Sequence, residues 1–269
     1  MPFEPKAAAD YIIKWLNDYK TKNHIRGFIV GISGGIDSAV VSTLCAKTGS
    51  DTLVLEMPIH QDSTQVDRGR EHIEWLQKSH QNVRSYDVDL TKVFDTFEAT
   101  VTPIEKSDKN ADNQMALANV RSRLRMVCLY YFASLHGYVV VGTGNKVEDF
   151  GVGFFTKYGD GGVDISPIAD LMKSEVRAVA RELGVCSSII AAPPTDGLFG
   201  DSRTDEDQIG ATYDELEWAM NHLDDRNNAS KHLDERQKQV IDIYNKRHSA
   251  NLHKMIEIPR CILKEQFQK

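Results

Sequence analysis

One β-turn-α unit near the N-terminus constrains the fold more than any other part of the sequence. Residues 27–32 are an apolar run, Ser33-Gly34-Gly35-Ile36-Asp37-Ser38 is a glycine-rich turn, and residues 38–47 have a helical pattern. Free backbone N–H groups and the helix dipole attract phosphate at such a turn. The alternative is a plain glycine turn capped by Ser38. A plain turn gives no reason for the carboxylate of Asp37. Beside a phosphate site that carboxylate is unfavourable unless a metal bridges the two, so its presence suggests a metal.

The rest of the chain continues the alternation of strand and helix. Apolar runs at residues 52–58, 83–90 and 138–143 predict strands, and residues 65–78 and 111–136 predict helices between them. Strands that are apolar throughout indicate a parallel sheet that is covered on both sides. We therefore predict an α/β fold, a doubly wound parallel sheet with helices on both faces.

Outside the sheet, three segments have helical patterns. Residues 7–19 place Ala8, Tyr11, Ile12, Trp15 and Leu16 on one face, which predicts a helix that covers the core or a subunit contact. Residues 174–183 predict a second helix, and the polar residues 214–244 predict surface helices. Residues 193–207 have the composition of a loop, and the tail from residue 248 onward is too short for another domain.

Composition limits the class of protein. A length of 269 residues with 41% hydrophobic and 26% charged residues predicts one globular domain, residues 1–269. A net charge of -7 argues against a nucleic-acid surface, which needs an excess of Lys and Arg. The first 18 residues have neither a signal-peptide core nor a membrane span. The four cysteines show no C-x-x-C spacing, so we expect buried free thiols in a cytoplasmic protein without membrane partners.

The turn Ser33-Gly34-Gly35-Ile36-Asp37-Ser38 resembles the S-G-G-x-D-S loop of the ATP pyrophosphatases. Enzymes of that group adenylate a substrate oxygen and release pyrophosphate into this loop. Residues 142–148 and 154–164 resemble the NAD synthetases of this group. The resemblance also includes residues 119–126, Lys173, Pro194-Thr195, Asp205-Glu206 with Gly210 and Tyr213, and His253-Lys254. The resemblance implies an adenine nucleotide alpha hydrolase-like fold and a homodimer. It implies an ATP- and Mg²⁺-dependent ligase that amidates deamido-NAD (nicotinic acid adenine dinucleotide) with ammonia.

The same resemblance implies roles for individual residues. Asp37 and Lys173 correspond to catalytic positions, and Asp37 and Glu148 to magnesium ligands. The positions that match ATP-binding residues are Gly31, Ile32, Ser33, Gly34, Gly35, Ile36, Asp37, Ser38, Thr143, Lys173 and Thr195. The positions that match residues binding deamido-NAD are Arg123, Lys157, Asp164, His253 and Lys254.

The residues themselves support some of these roles more than others. Asp37 and Glu148 follow two predicted strands, where ligands of open α/β sheets gather, and Mg²⁺ prefers carboxylates together with phosphate oxygens. The link from Glu148 to Phe154 is one residue longer than the family pattern, so Asp149 is an alternative metal ligand. Arg123, Lys157 and His253 have the alternative of being ordinary surface residues.

Two other functions stay open from the sequence alone. The same adenylating loop could serve a different acceptor, such as a tRNA base, although the acidic composition and the absence of paired cysteines disfavour it. A non-catalytic nucleotide-binding protein could also keep this fold. For the enzyme we expect ammonia rather than glutamine as nitrogen donor, because no cysteine has the surroundings of an activated thiolate. We also expect residues 196–207 to form a loop that closes over the bound intermediate.

Overall fold

A computed structural model describes residues 2–104, 110–195, 204–224 and 232–263. The strands are β1 (Gly27–Ile32), β2 (Asp51–Glu56), β3 (Val83–Asp87) and β4 (Tyr138–Val140). The helices are α1 (Pro5–Lys22), α2 (Ile36–Lys47), α3 (Ser63–Ser79), α4 (Thr91–Val101), α5 (Asn110–His136), α6 (Lys173–Leu183), α7 (Ser187–Ile190), α8 (Asp205–Ile209), α9 (Tyr213–Asp224) and α10 (Glu235–Met255), together with a π-helix at Lys146–Val152.

The four strands form one parallel sheet in the order β3-β2-β1-β4. The register of β1 and β2 runs from Gly27 opposite Asp51 to Ile32 opposite Glu56. Because all strands are parallel, their carboxyl ends meet at one edge, and β1 and β4 are neighbours there. This order places the phosphate loop, residues 33–38, beside the segment that follows β4.

Helices cover both faces of the sheet, as the sequence predicts. Successive residues of β1 alternate between the two sides: Phe28 and Val30 pack with α1, α2, α3 and α6, whereas Ile29 packs with α4 and α5. All three side chains are fully buried. A third apolar cluster joins α9 and α10 to the π-helix, and Leu216 lies at its centre. This cluster fixes the π-helix at the edge of the sheet.

Several elements differ from the predicted ones. β3 ends at Asp87 and β4 at Val140, and the sheet continues past β4 only as a bridge between Val141 and Ile165. Neither α4 nor the π-helix was predicted. Residues 214–244 were predicted as surface helices, but α9 is partly a core element because Leu216 and Ala219 are fully buried against the π-helix.

The buried face of α1 also differs from the predicted one. Ala9, Ile12 and Leu16 face the core, while Tyr11 is 70% exposed. The cysteines are all free, but only Cys45 is buried, and Cys261 is exposed. Among the described helices, none has a stretch both long enough and apolar enough to cross a membrane.

Candidate active site

A large cavity opens at the carboxyl ends of β1, β2 and β4. The phosphate loop forms its floor, and the π-helix, α3 and the first residue of α6 form its walls. The predicted ATP-binding positions that line it are Gly31, Ile32, Ser33, Gly34, Gly35, Ile36, Asp37, Ser38, Thr143, Lys173 and Thr195. The structure therefore brings together in one cavity all the residues that the sequence assigns to ATP.

The phosphate loop is held by its own hydroxyl groups. Ser38 Oγ accepts from Ser33 N at 3.2 Å and donates to Gly35 O at 3.0 Å, and Gly35 N donates to Ser33 Oγ at 3.2 Å. Gly34 has φ +77°, and a Cβ there would lie 2.3 Å from Gln65 O, so only glycine fits between the loop and α3. The loop thus enters α2 with its first turn of N–H groups at the cavity floor.

Lys173 joins the two predicted metal ligands. Its Nζ lies 2.6 Å from Asp37 Oδ2 and 2.8 Å from Glu148 Oε1, and the side chain is 3% exposed. All three residues lie in the first turn of a helix. Asp37 belongs to α2, Glu148 to the π-helix, and Lys173 is the first residue of α6. Three segments far apart in the sequence therefore meet at one ion-pair cluster.

The protonation of this cluster follows from burial and charge. Burial raises the pKa of Asp37, and the neighbouring carboxylate adds to this rise more weakly than Lys173 opposes it. Burial acts in the same direction on Glu148, but the charge of Lys173 and the hydrogen bonds to the carboxylate hold its pKa below the usual value. Although burial disfavours the ammonium, the two carboxylates raise the pKa of Lys173, so it stays charged.

Two neutral side chains also hold the carboxylates; both belong to the segments that carry the resemblance, but neither has a role predicted from the sequence. Asn145 Nδ2 donates to Asp37 Oδ1 at 3.1 Å, while its Oδ1 accepts from the N–H groups of Val147 and Glu148 and so caps the π-helix. The Tyr213 hydroxyl donates to Glu148 Oε1 at 2.5 Å. The pattern Asn145-x-x-Glu148 is a helix-start signal that could have pointed to Asn145.

Asp149, the alternative ligand, has different surroundings. Its carboxylate packs against Gly144, where a Cβ would lie 1.9 Å from Asp149 Oδ2, and it lines the cavity. Burial raises the pKa of Asp149 well above its usual value, and the charges of Asp160 and nearby carboxylates raise it further. Lys173 bridges Asp37 to Glu148 rather than to Asp149.

The positions assigned to the dinucleotide lie outside the lining of this cavity. Arg123 donates through Nε and Nη2 to Lys157 O, at 3.3 Å each, and Lys157 Nζ donates to His253 O at 2.6 Å. Lys254 Nζ donates to Gly153 O and, at 2.6 Å, to Phe155 O. We call the set Arg123, Lys157, His253 and Lys254 the basic patch.

Asp164 is held apart from the basic patch. Its Oδ2 accepts from Val140 N at 2.8 Å, and its Oδ1 accepts from the Tyr130 hydroxyl at 2.9 Å. The carboxylate thus ties the end of β4 to α5. This gives Asp164 a structural contact in addition to the predicted substrate role.

Other features of the cavity lie beyond the sequence predictions. Gln61 and Arg125 line it, and Arg125 Nη2 donates to Gln61 Oε1 at 2.6 Å. The predicted closing loop falls mostly on residues 196–203, which lie outside the described residues; Asp205 to Asp207 belong to α8. Asp205 N donates to Pro194 O at 3.1 Å, so the two ends of that segment are adjacent.

The carboxylates of the cavity suit a magnesium ion. Within the described ranges, no group of three or more His, Cys, Asp or Glu side chains is arranged to hold a metal. Mg²⁺ does not need such a group, because it is commonly bound by one or two carboxylates with phosphate oxygens and water. Asp37 and Glu148, facing the phosphate loop, fit that requirement.

Comparisons with known proteins agree with this geometry. The family model for NAD synthase matches residues 8–259. A relative from Mesoplasma florum, named NH(3)-dependent NAD(+) synthetase, is 36% identical over 230 residues, which cover 85% of this chain and 90% of the relative. The structure of NMN synthetase from Francisella tularensis is similar with a TM-score of 0.83 and 31% identity, covering 97% of this chain and 99% of that one. The NH3-dependent NAD synthetase from Campylobacter jejuni, 22% identical with a TM-score of 0.76 over 97% of this chain and 100% of that one, has the same fold.

Replacing Lys173 by Met tests the ion-pair cluster. The variant leaves two largely buried carboxylates, 17% and 16% exposed, without their cation, so we expect the free energy of unfolding to fall by about 3 kcal/mol at neutral pH. The loss in free energy of unfolding should be smaller at about pH 5.5 than at about pH 7.5. Without Lys173 the pKa of both carboxyls rises, so the variant relieves the repulsion by taking up protons as the pH falls. Urea unfolding at both pH values measures the effect.

Lys146→Met is the matched control, because Lys146 pairs with Asp170 at the surface, at 3.1 Å. We expect a loss of about 1 kcal/mol or less for that exposed pair. Equal losses for the two variants, or a loss for Lys173→Met that does not change with pH, would contradict the interpretation.

Proposed function

The chain belongs to the NAD synthase family, and on that basis we propose that it is a ligase that joins ammonia to the nicotinate carboxylate of deamido-NAD at the expense of ATP. The observation that carries the proposal is the phosphate loop lying in one cavity with the Asp37–Lys173–Glu148 cluster. The loop suits a triphosphate, and the cluster supplies the charges that phosphate chemistry needs.

Amidation of a carboxylate needs activation, because the carbonyl is electron-rich and oxide is a poor leaving group. In the proposed reaction a carboxylate oxygen of the nicotinate attacks the α-phosphorus of ATP, and the bond to pyrophosphate breaks. Ammonia then attacks the acyl carbon of the acyl-adenylate, AMP leaves, and the surplus proton on nitrogen is released. The chain's contribution is to position the reactants and to keep water from the intermediate.

The residues of the cavity have distinct roles in this proposal. Ser33 to Ser38 hold the departing pyrophosphate through backbone N–H groups and hydroxyls. Lys173 offsets the negative charge that develops on the phosphates. Thr143 and Thr195, which also line the cavity, contact ATP in this proposal. A bound Mg²⁺, held by Asp37 and Glu148, would polarise the phosphate oxygens.

The basic patch and Asp164 are the proposed site for deamido-NAD. The Arg123 side chain donates to the Lys157 carbonyl, and Lys157 Nζ donates to the His253 carbonyl. Lys254, next to His253, donates to the Phe155 carbonyl. The positive side chains of Arg123, Lys157 and Lys254 suit the pyrophosphate bridge of a dinucleotide. The patch adjoins the cavity through Ser122 and Gly159, which line it.

A second candidate substrate is nicotinate mononucleotide. It is favoured by the similarity to the NMN synthetase from Francisella tularensis, at 31% identity over nearly the whole chain. The two candidates share the nicotinate carboxylate and differ by the adenylate half of the dinucleotide. The basic patch favours the larger substrate, because only that substrate has a pyrophosphate bridge.

We also propose a homodimer with its interface on α5. Val127, Tyr131 and Leu135 follow each other at four-residue spacing on this helix, and each is more than half exposed. Arg123 precedes this stripe, and Tyr130 of the same helix binds Asp164. A second copy of the chain on this face would therefore lie against the proposed dinucleotide site.

The nitrogen donor in this proposal is free ammonia, and one domain carries out both steps in the cytoplasm. The relative from Mesoplasma florum, matched over most of both chains, is named for ammonia. Burial and a nearby carboxylate raise the pKa of the Cys186 thiol, and burial raises that of Cys128, which disfavours the thiolate that glutamine hydrolysis would need.

Turnover tests the function directly. With ATP, Mg²⁺, ammonium and deamido-NAD, the purified protein should form NAD, AMP and pyrophosphate in equal amounts. Glutamine in place of ammonium should give almost no NAD. At constant total ammonium the rate should rise as the pH approaches about 9, because only the unprotonated amine has a free lone pair. Chromatography of the nucleotides measures all three results.

Three outcomes would change the proposal. Faster amidation of nicotinate mononucleotide, judged by kcat/KM, would make the second candidate the substrate. ATP binding without any turnover would favour a non-catalytic nucleotide-binding protein. Robust synthesis from glutamine by this chain alone would overturn the choice of ammonia.

The metal ligands have their own test. Asp37→Asn and Glu148→Gln keep the size of each side chain but remove its charge, so each should lower turnover by about 100-fold or more. Asp149→Asn is the matched control from the same helix and should have a much smaller effect. If Glu148→Gln stays active while Asp149→Asn does not, the choice between the neighbours is wrong.

Charge placed on the α5 stripe tests the homodimer. Tyr131→Glu should shift the protein from dimer to monomer at micromolar concentration, as measured by sedimentation velocity, because a buried unpaired carboxylate is costly at an interface. Tyr11→Glu on α1 is the control, since Tyr11 is equally exposed but lies on another helix. A wild-type protein that is monomeric and fully active would contradict the proposal.

A further inference from the structure

Each carboxylate of the ion-pair cluster has a second, neutral donor besides Lys173. For Asp37 this donor is the amide of Asn145, at 3.1 Å from Oδ1, whereas Lys173 contacts Oδ2. For Glu148 it is the hydroxyl of Tyr213, at 2.5 Å from Oε1. Asn145 and Tyr213 are 0% and 1% exposed, so these bonds are shielded from water.

The neutral donors are themselves fixed by groups outside the cluster. Asn145 Oδ1 accepts from Val147 N and Glu148 N, both at 3.1 Å, which sets the amide plane. The Tyr213 hydroxyl lies 3.1 Å from Asp205 Oδ2, and Tyr213 N donates to Glu206 Oε1 at 2.9 Å. The hydrogen bonds that orient the two donors therefore do not involve Lys173, although its ammonium also lies over the Tyr213 ring, 4.7 Å from the centroid.

Lys173 has two sets of partners in the proposed reaction. In the structure its ammonium binds both carboxylates, and the proposed role of Lys173 requires it also to face the phosphates of ATP. An ammonium that turns toward phosphate releases part of its hold on Asp37 and Glu148. Two carboxylates left with no other donor would then be free to rotate away from each other.

We propose that Asn145 and Tyr213 are positioning residues that hold Asp37 and Glu148 in the orientation for a divalent cation, independently of Lys173. This inference rests on the proposed function, because it takes the two carboxylates as the ligands of the cation that accompanies ATP. Neither residue touches the reacting atoms. Removing either donor lowers the affinity for the metal and leaves the phosphate loop intact.

Metal-dependent ATP binding is the test, with Mn²⁺ as the probe. Calorimetry gives the Kd of ATP with Mn²⁺ and the Kd of ATP with a chelator. The Kd with the chelator divided by the Kd with Mn²⁺ measures the contribution of the metal to ATP affinity. Tyr213→Phe keeps the ring and removes only the hydroxyl. Asn145→Ser keeps a neutral side-chain oxygen that can cap the π-helix and removes the amide donor that faces Asp37, without adding a charge to the cluster. For each variant the ratio should fall by about 10-fold or more, as is typical when a partner of a metal ligand is lost.

Tyr138→Phe is the matched control. Its hydroxyl bonds Arg84 and Asp51 at the opposite end of the sheet, at 2.9 and 3.2 Å, so the variant loses a comparable hydrogen-bonded hydroxyl far from the cluster. The ratio should keep its wild-type value there. In steady-state assays, Tyr213→Phe should raise the KM for Mg²⁺ more than it lowers kcat at saturating metal.

Each contrary result has a definite meaning. An unchanged ratio in both variants overturns the positioning role while leaving the proposed function standing. A loss of ATP affinity that is equal with and without metal also overturns it, because Tyr213 would then support the cavity in general. If the wild-type protein converts deamido-NAD but Mn²⁺ adds nothing to its ATP affinity, the metal assignment and the positioning role both fail.

Discussion

The ammonium of Lys173 between Asp37 and Glu148 is the contact on which the rest of the site depends. Burying three charged groups costs several kcal/mol for each ion, and this is offset only when the geometry is close and the remaining lone pairs are bonded. The parallel sheet supplies that geometry, because β1 and β4 are neighbours and their carboxyl ends open at one edge. Asp37 and Glu148 follow these two strands and therefore lie close together, and Lys173 at the start of α6 binds both carboxylates.

Helix starts explain why negative and positive groups can share this edge. Asp37 and Glu148 lie in the first turns of α2 and the π-helix, where the helix dipole favours negative charge. Lys173 is the first residue of α6, a position where the dipole opposes a cation, and the two carboxylates compensate for this. The same N–H groups that favour carboxylates also favour phosphate, so one set of helix starts serves both the ion pairs and the proposed nucleotide site.

The parts of the fold that the sequence predicts are those that local patterns determine. The apolar run before Ser33 and the two glycines after it predict β1, the phosphate loop and α2, and the structure confirms them. The buried face of α1 depends on where α6 lies, which no local pattern contains, so the pattern alone does not separate Ile12 and Leu16, which enter the core, from the exposed Tyr11. Tyr213 reaches Glu148 only because α9 packs against the π-helix, and a neutral side chain 65 positions away gives no signal of that contact.

The π-helix occupies the link in which the sequence predicts one extra residue, between Glu148 and Phe154. A π-turn accommodates one more residue than an α-turn of the same start and end, and Gly153 N–H donates to Glu148 O, five residues back. A π-turn at this place could therefore accommodate such a residue inside the helix. Asn145 still caps the start, Glu148 still faces Lys173, and Asp149 is turned against Gly144, where only a glycine leaves space for its carboxylate. The two acidic side chains between which the sequence could not choose thus have different surroundings: Glu148 is bonded to Lys173, whereas Asp149 is buried near other carboxylates.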